Sequence, residues 1–207
     1  MMQDLCYVTG NYGKYVSVKE KFEKENILIS YFEYNTKEPD VNDIKFISKE
    51  KAKQAYDVLK KPVFVADTGF YIENYPNNPG YPGAFVKRSG ISTDIDSLLK
   101  VMENVEKREC FFLDCLTFYD GLEFYQFFGE SKGILSKEKK GNIKKRAKSN
   151  LWYVFIPENY SKTLAQMTDD EIRNLDNNKI SATSEFINWY KINYLDSKKL
   201  IEKKKGI

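Results

Sequence analysis

The sequence predicts an α/β fold: a long central mixed sheet flanked by helices, with a cleft at the strand ends. Three observations carry this expectation. Strand-like and helix-like segments alternate over the first 67 residues, the last of those strands is a continuous apolar run (PVFVAD, 62–67), and two long strand patterns follow, joined at Asp120-Gly121. Helical connections produce parallel strands, whereas an Asp-Gly turn produces an antiparallel pair, so the two together require a mixed sheet.

Taken in order, residues 5–9 (LCYVT) read as a short strand. Residues 14–25 form a charged helix with Val18 and Phe22, four apart, on its inner face. ILISYF (27–32) is the second strand, and Ile44, Ile47, Lys51, Ala55 and Leu59 recur at helical spacing between Asp43 and Lys60. PVFVAD has no polar alternation, the pattern of a strand buried on both faces, and it ends in an acid. NYPNNPGYPG (74–83) is a loop, and a helix is expected over 92–105. The hairpin strands come next, and Thr168 with Glu171 then forms a capping box ahead of Ile172 and Leu175. A last amphipathic helix is expected over 183–200, and the basic stretch 198–207 reads as a frayed, solvated tail.

Composition narrows the chemistry. At 207 residues the chain is about one domain in length, and no stretch approaches the ~20 apolar residues of a membrane span. The beginning lacks a basic segment followed by a long apolar one, so a secretory signal is not expected, and three cysteines without metal spacing fit reduced thiols in the cytoplasm. A net charge of +3 gives no general grip on nucleic acid. Histidine is absent, which excludes histidine bases, histidine-activated nucleophiles and histidine metal ligands. Catalysis here must use carboxylates, lysines and a bound ion.

Two strand ends are unusually polar. After the first strand comes TGNYGK (9–14): Gly10 permits close approach of a ligand to the backbone, and the following helix aims its free N–H groups at the turn. With Thr9, Asn11 and Lys14 added, the turn suits a phosphate chain; it reads equally as a plain turn followed by a solvated lysine. Asp67, directly after an apolar run, requires either a positive partner or a capping role in the turn made with Thr68 and Gly69. A phosphate-binding turn and a carboxylate on one sheet are what is needed to hold Mg2+ between acid and phosphate oxygens.

The ordered set TGNYGK, EY with EPD (33–34 and 38–40), VADTGF, PGAFVK (82–87) and FIPENYSKTLAQM (155–167) resembles the inosine triphosphate pyrophosphatase family over residues 5–195. Those enzymes hydrolyse aberrant purine nucleoside triphosphates to monophosphate and pyrophosphate. The resemblance implies two lobes of a single domain flanking a deep cleft, and a homodimer. It places the phosphate-binding turn on Thr9, Gly10, Asn11 and Lys14, and the magnesium ligand on Glu33, with Glu38 as the alternative after a one-residue change in spacing. It places substrate-contacting lysines on Lys51 and Lys87, catalytic roles on Asp67, also a metal ligand, and Lys14, and a further phosphate contact on Thr68. The implied reaction is attack of water on the α-phosphorus, which needs charge neutralisation more than covalent chemistry.

The base-reading half departs from that family. Its aromatic-Gly-aromatic-Asp stretch corresponds to SNLWY (149–153), with Asn150 for the glycine and Trp152 for the aspartate. Its Ser-His-Arg corresponds to Ser181, Ala182 and Thr183. Trp152 and Tyr153 offer either a stacking face or core aromatics, and Lys145, Arg146 and Lys148 either a solvated loop or contacts across the cleft. A shifted base specificity follows; the alternatives are a catalytically impaired nucleotide-binding or regulatory protein of the same fold, and an RNA-binding module, against which the near-neutral charge argues.

Overall fold

A computed structural model of the chain describes residues 5–143, 147 and 149–195. Among them, one mixed sheet contains β1 (Leu5–Val8), β2 (Ile29–Phe32), β3 (Val63–Ile72), β4 (Pro82–Gly83), β5 (Glu109–Tyr119), β6 (Phe124–Leu135) and β7 (Phe155–Pro157). Its order is β2-β1-β3-β5-β6-β7, with β4 added to β3. β1 runs parallel to β2 and β3; the β3–β5, β5–β6 and β6–β7 pairs are antiparallel. The helices are α1 (Tyr12–Glu23), α2 (Ile44–Leu59), α3 (Ile95–Val101), α4 (Asp169–Asn178) and α5 (Ala182–Trp189), the last continued by a π-helical turn, Tyr190–Leu195.

Local chemistry explains where the observed boundaries differ from the expected ones. α1 begins at Tyr12 rather than residue 14 because the Asn11 side chain accepts from Lys14 N at 3.1 Å and caps it there. α3 is shorter than 92–105 because Asp94 is its cap, accepting from Ser97 N at 3.0 Å. The last α-helix stops at Trp189, and residues 198–207 lie outside the described residues. The largest change is in β3, which runs on through Asp67 to Ile72 because β5 pairs with it throughout, from Val63↔Tyr119 to Ile72↔Cys110. Asp67 therefore stands in the middle of a central strand.

On one face, α2 lays Ala52 and Ala55 against Cys6, Val8, Val63 and Val65. Its register is fixed by Thr117, whose hydroxyl donates to Ser48 Oγ at 2.7 Å inside the core. On the other face, Phe22 of α1 and Phe186 of α5 pack on Tyr7, Phe64 and Phe118. Each such ring, fully buried, contributes on the order of 1.5–3 kcal/mol. A second core, with Phe70, Ile72, Met102, Leu151 and Phe155, lies toward the other end of β3. Arg108 ties that end together by donating to the carbonyls of Leu135 (2.8 Å), Ser136 (2.9 Å) and Met102.

Between these cores the central strand loses its cover: Val63–Val65 are buried, Ala66, Asp67 and Thr68 are half-exposed, and Gly69 and Phe70 are buried again. Among the described residues β1 reaches β3 at Val63 and Phe64 and β4 at Phe70 and Tyr71, so residues 65–69 present an edge without a strand partner on that side among the described residues. The sheet is thus least covered around Asp67.

Candidate active site

The turn after β1 is built by its own small side chains. Asn11 N donates to Thr9 Oγ1 at 3.1 Å, and Thr9 N donates to Phe32 O at 3.2 Å, which ties the turn to the end of β2. A Cβ at Gly10 would fall 2.1 Å from Asn35 Oδ1, so a side chain here would displace the Asn35 side chain from the turn. Gly10 is three residues past Tyr7, and Asp67 is three past Phe64, the register partner of Tyr7. The turn and Asp67 therefore stand at one level of the sheet, with the N-terminus of α1 and Lys14 beside them.

Asp67 points to the α2 face and meets Lys51. Lys51 Nζ lies 2.5 Å from Asp67 Oδ1 and 2.6 Å from Glu38 Oε1. Burial would lower the pKa of the Lys51 ammonium, but the two carboxylates outweigh it and raise that pKa above the ordinary value. For Glu38, burial pulls upward, and the Lys51 hydrogen bond and charge, assisted by Arg88 and Lys87, bring the pKa below the usual carboxylate value. The segment carrying Lys87 is fastened to the 38–42 stretch: Arg88 Nη1 lies 2.6 Å from Asp40 Oδ1, and Ala84 N donates to Asn42 Oδ1 at 2.8 Å. Lys87 itself is exposed at the rim.

Of the residues expected at the phosphate half, the fold thus joins Asp67, Lys51 and Glu38 directly and sets Thr9, Gly10, Asn11 and Lys14 alongside. Glu33 is exposed and follows Phe32, whose carbonyl receives Thr9 N, so it flanks the turn. Thr68 faces the opposite side of the sheet and donates to Asp114 Oδ1 at 2.6 Å. Asp114 and Arg88 were not anticipated. A signal for Asp114 existed, since a lone acid inside FFLDCLTF is the same anomaly that singled out Asp67.

The expected base region is arranged differently. Trp152 is 7% exposed and belongs to the second core, so the core reading describes its ring, while Tyr153 packs half-buried against that core. Ser181 is the N-cap of α5: it accepts from Ser184 N at 3.2 Å and from Lys21 Nζ at 3.4 Å. Lys145, Arg146 and Lys148 lie outside the described residues.

Whether this site suits a divalent cation can be judged from its oxygens. Among the described residues no three acid or thiol side chains gather into a preformed cage. Mg2+ is more often held by one or two carboxylates plus substrate phosphates, and Asp67 Oδ2, buried and without a hydrogen-bond partner, is an oxygen of that kind. The donor set fits a cation shared with a phosphate chain.

The family model described as the Ham1 family matches residues 5–189. A dITP/XTP pyrophosphatase of Saccharolobus solfataricus is 30% identical over 164 residues, covering 79% of this chain and 82% of that protein. One of Thermococcus kodakarensis is 26% identical over 189 residues, covering 91% and 98%. A HAM1 protein from Coxiella burnetii superposes with a TM-score of 0.72 at 17% identity over 90% of this chain and 95% of that one, a likeness of fold.

Proposed function

The chain belongs to the Ham1 family, and from that premise we propose that it hydrolyses nucleoside triphosphates between the α- and β-phosphates, releasing monophosphate and pyrophosphate. One observation carries the reading: the sheltered Lys51–Asp67 pair stands where β3 has no strand partner on the β1 side among the described residues, level with the turn of residues 9–14. The turn and the N-terminus of α1 suit the triphosphate, whose oxygens take N–H groups and the charge of Lys14. Lys51 holds Asp67 by Oδ1, which leaves Oδ2 to orient a water and receive its proton as the water oxygen bonds to the α-phosphorus and pyrophosphate departs. The task is to neutralise negative charge on the phosphates, and no histidine is required for it.

A magnesium ion, when bound, supplies further neutralisation of phosphate oxygens. Glu33, beside the turn, and Asp67 would hold it: Lys51 engages one oxygen of Asp67 and one of Glu38, and Asp67 keeps Oδ2 without a partner. A homodimer belongs to the same proposal and is checked by light scattering. No helix among the described residues is long and apolar enough to cross a membrane. Binding without turnover is not favoured, since the phosphate half of the site is intact and the similar archaeal proteins are named for hydrolysis.

The test is incubation with Mg2+ and a panel of standard and modified nucleoside triphosphates while pyrophosphate is assayed. Pyrophosphate release that Asp67→Asn abolishes is expected. No release from any nucleotide would sink the enzymatic reading, and orthophosphate instead would mean that a different bond is cut.

A further inference from the structure

We propose that a second copy of this chain docks on the far half of the β3–β5–β6 sheet, on the face that carries α2; this deepens the homodimer proposed above and rests on it. Side chains alternate between faces along a strand, so Tyr71, Phe111, Leu113, Phe128 and Ile134 all share the face of Asp67. Their strand neighbours Phe70, Ile72, Cys110, Phe112 and Leu135 point the other way, into the second core. Among the described residues, none of the first five joins a buried cluster. Four are half-exposed, Ile134 is 53% exposed, and Tyr71 and Phe111 stack at 4.9 Å with rings 5° from parallel. α2 is anchored to this face where Thr117 donates to Ser48 Oγ and Gln126 donates to Lys45 O, and it begins there, at Ile44. The other four helices bury their apolar residues against the opposite face, so no helix among the described residues covers the rows beyond Cys115. Rows two residues apart on strands about 4.8 Å apart make this a patch of a few hundred Å², the size that marks a protein contact.

The charges at the two ends of the patch say what covers it. At the α2 end, Lys45 Nζ lies 5.2 Å from the Phe128 ring and Lys49 Nζ 6.0 Å from the Phe124 ring, while Asp43 caps the helix. At the other end stand the exposed Glu109, the register partner of Ile134, and Glu73, whose N–H donates to Glu109 O at 3.0 Å. Glu130 and Lys132, between the ends, pair with each other at 3.5 Å. The patch is therefore basic at one end, acidic at the other and apolar between them. Two identical sheets packed face to face are related by a two-fold axis running either along the strands or across them. An axis along the strands sets like ends opposite each other and repels. An axis across them sets the lysine end of each copy against the glutamate end of the other. That axis also keeps each strand opposite itself, so Ile134 on β6 meets the α2 end of β6 in the second copy. Phe46, in the first turn of α2 and 44% exposed, stands at that end. One symmetric contact thus covers both exposed side chains and pairs Glu109 with Lys45 twice.

The experiment is sedimentation velocity of the full chain across a dilution series, with circular dichroism to monitor folding. It compares wild type with Ile134→Asp, Phe46→Asp, Lys45→Glu, Glu109→Lys and the double variant that carries both charge reversals. All four positions are exposed in the single copy, so these substitutions leave its fold intact. Wild type is expected to dimerise, and each aspartate to weaken the dimer roughly 30-fold or more, as loss of a central apolar contact does. Each charge reversal alone should weaken it roughly tenfold, and the double variant should recover, because the opposed pair is restored with its signs exchanged. Dimers unchanged in both aspartate variants would overturn the inference and leave the homodimer standing on another face. A double variant no tighter than the single reversals would overturn the pairing of opposite ends. A wild type that stays monomeric at every dilution would defeat the homodimer itself, and this inference with it, and give the face to a different protein. Pyrophosphate release is a separate readout, whose absence bears on the hydrolytic reading and not on this face.

Discussion

Lys51 Nζ lies 2.5 Å from Asp67 Oδ1, with the two side chains 14% and 15% exposed. Removing one member of a pair this sheltered strands a charge, at a cost of about 3–5 kcal/mol. Lys51→Met is expected to lose stability of that order in chemical denaturation and to lose pyrophosphate release. Asp67→Asn keeps the shape of the site and leaves Lys51 with Glu38, so it should stay folded while kcat falls by roughly 10²–10⁴. If the loss in Asp67→Asn merely tracks the unfolded fraction, Asp67 has no part in the chemistry.

Glu33 and Glu38 should separate in a magnesium titration. Glu33→Gln is expected to raise the Mg2+ concentration for half-maximal release by roughly tenfold or more. Glu38→Gln should lower kcat with that midpoint unmoved, since Glu38 holds Lys51. The reverse pattern would give the metal to Glu38. The lowered pKa of Glu38 adds a pH signature: its contact with Lys51 is in place above the ordinary carboxylate value and is lost only as pH falls through the depressed one. The wild-type and Glu38→Gln rates should therefore converge on the acid side of that ordinary value.

Gly129 marks where α5 touches the sheet. An added Cβ would sit 2.7 Å from Ala182 N and 3.1 Å from the Cα of Ser181, both backbone atoms that cannot rotate away. Gly129→Ala is expected to cost about 1–3 kcal/mol in urea denaturation, as overpacking does, and to displace the start of α5. An unchanged midpoint would show that α5 is not seated there.

Glu171 closes the capping box of α4. A hydrogen bond from Lys162, with the Thr168 backbone N–H donating at 2.7 Å, pulls its pKa down from 4.5 to about 2. A depressed carboxylate stabilises the fold fully above its unfolded value and loses that contribution as pH falls through the folded one. The thermal midpoint of wild type should exceed that of Glu171→Gln at neutral pH, and the gap should close between about 4.5 and about 2. A gap that is constant with pH would assign the effect to shape alone.

Much of this architecture is legible in short stretches of sequence. Asp120-Gly121 turns the β5–β6 hairpin with Gly121 at φ 100° and the Asp120 carboxylate accepting from Leu122 N and Glu123 N, all within four residues. Ile44, Ile47 and Ala55 mark the buried face of α2, and Thr168 with Glu171 marks the start of α4, for the same local reason. The length of β3 could not be read this way, because its second half is fixed by pairing with β5, 38 to 46 residues distant in the chain. Nor could the burial of Trp152, which depends on the second core closing around it.

The candidate site divides along the same line. The sequence by itself determined that Asp67, an acid inside an apolar run, needed a positive partner, since desolvating a carboxylate is costly wherever the strand is placed. It also determined that the turn of residues 9–14 could approach a phosphate, because Gly10 and the helix start are local. Only the tertiary structure decided that the partner is Lys51, that Glu38 shares it, and that Thr68 turns away to meet Asp114. Those choices depend on how α2 packs and on strand register, which bring together residues that no local pattern relates.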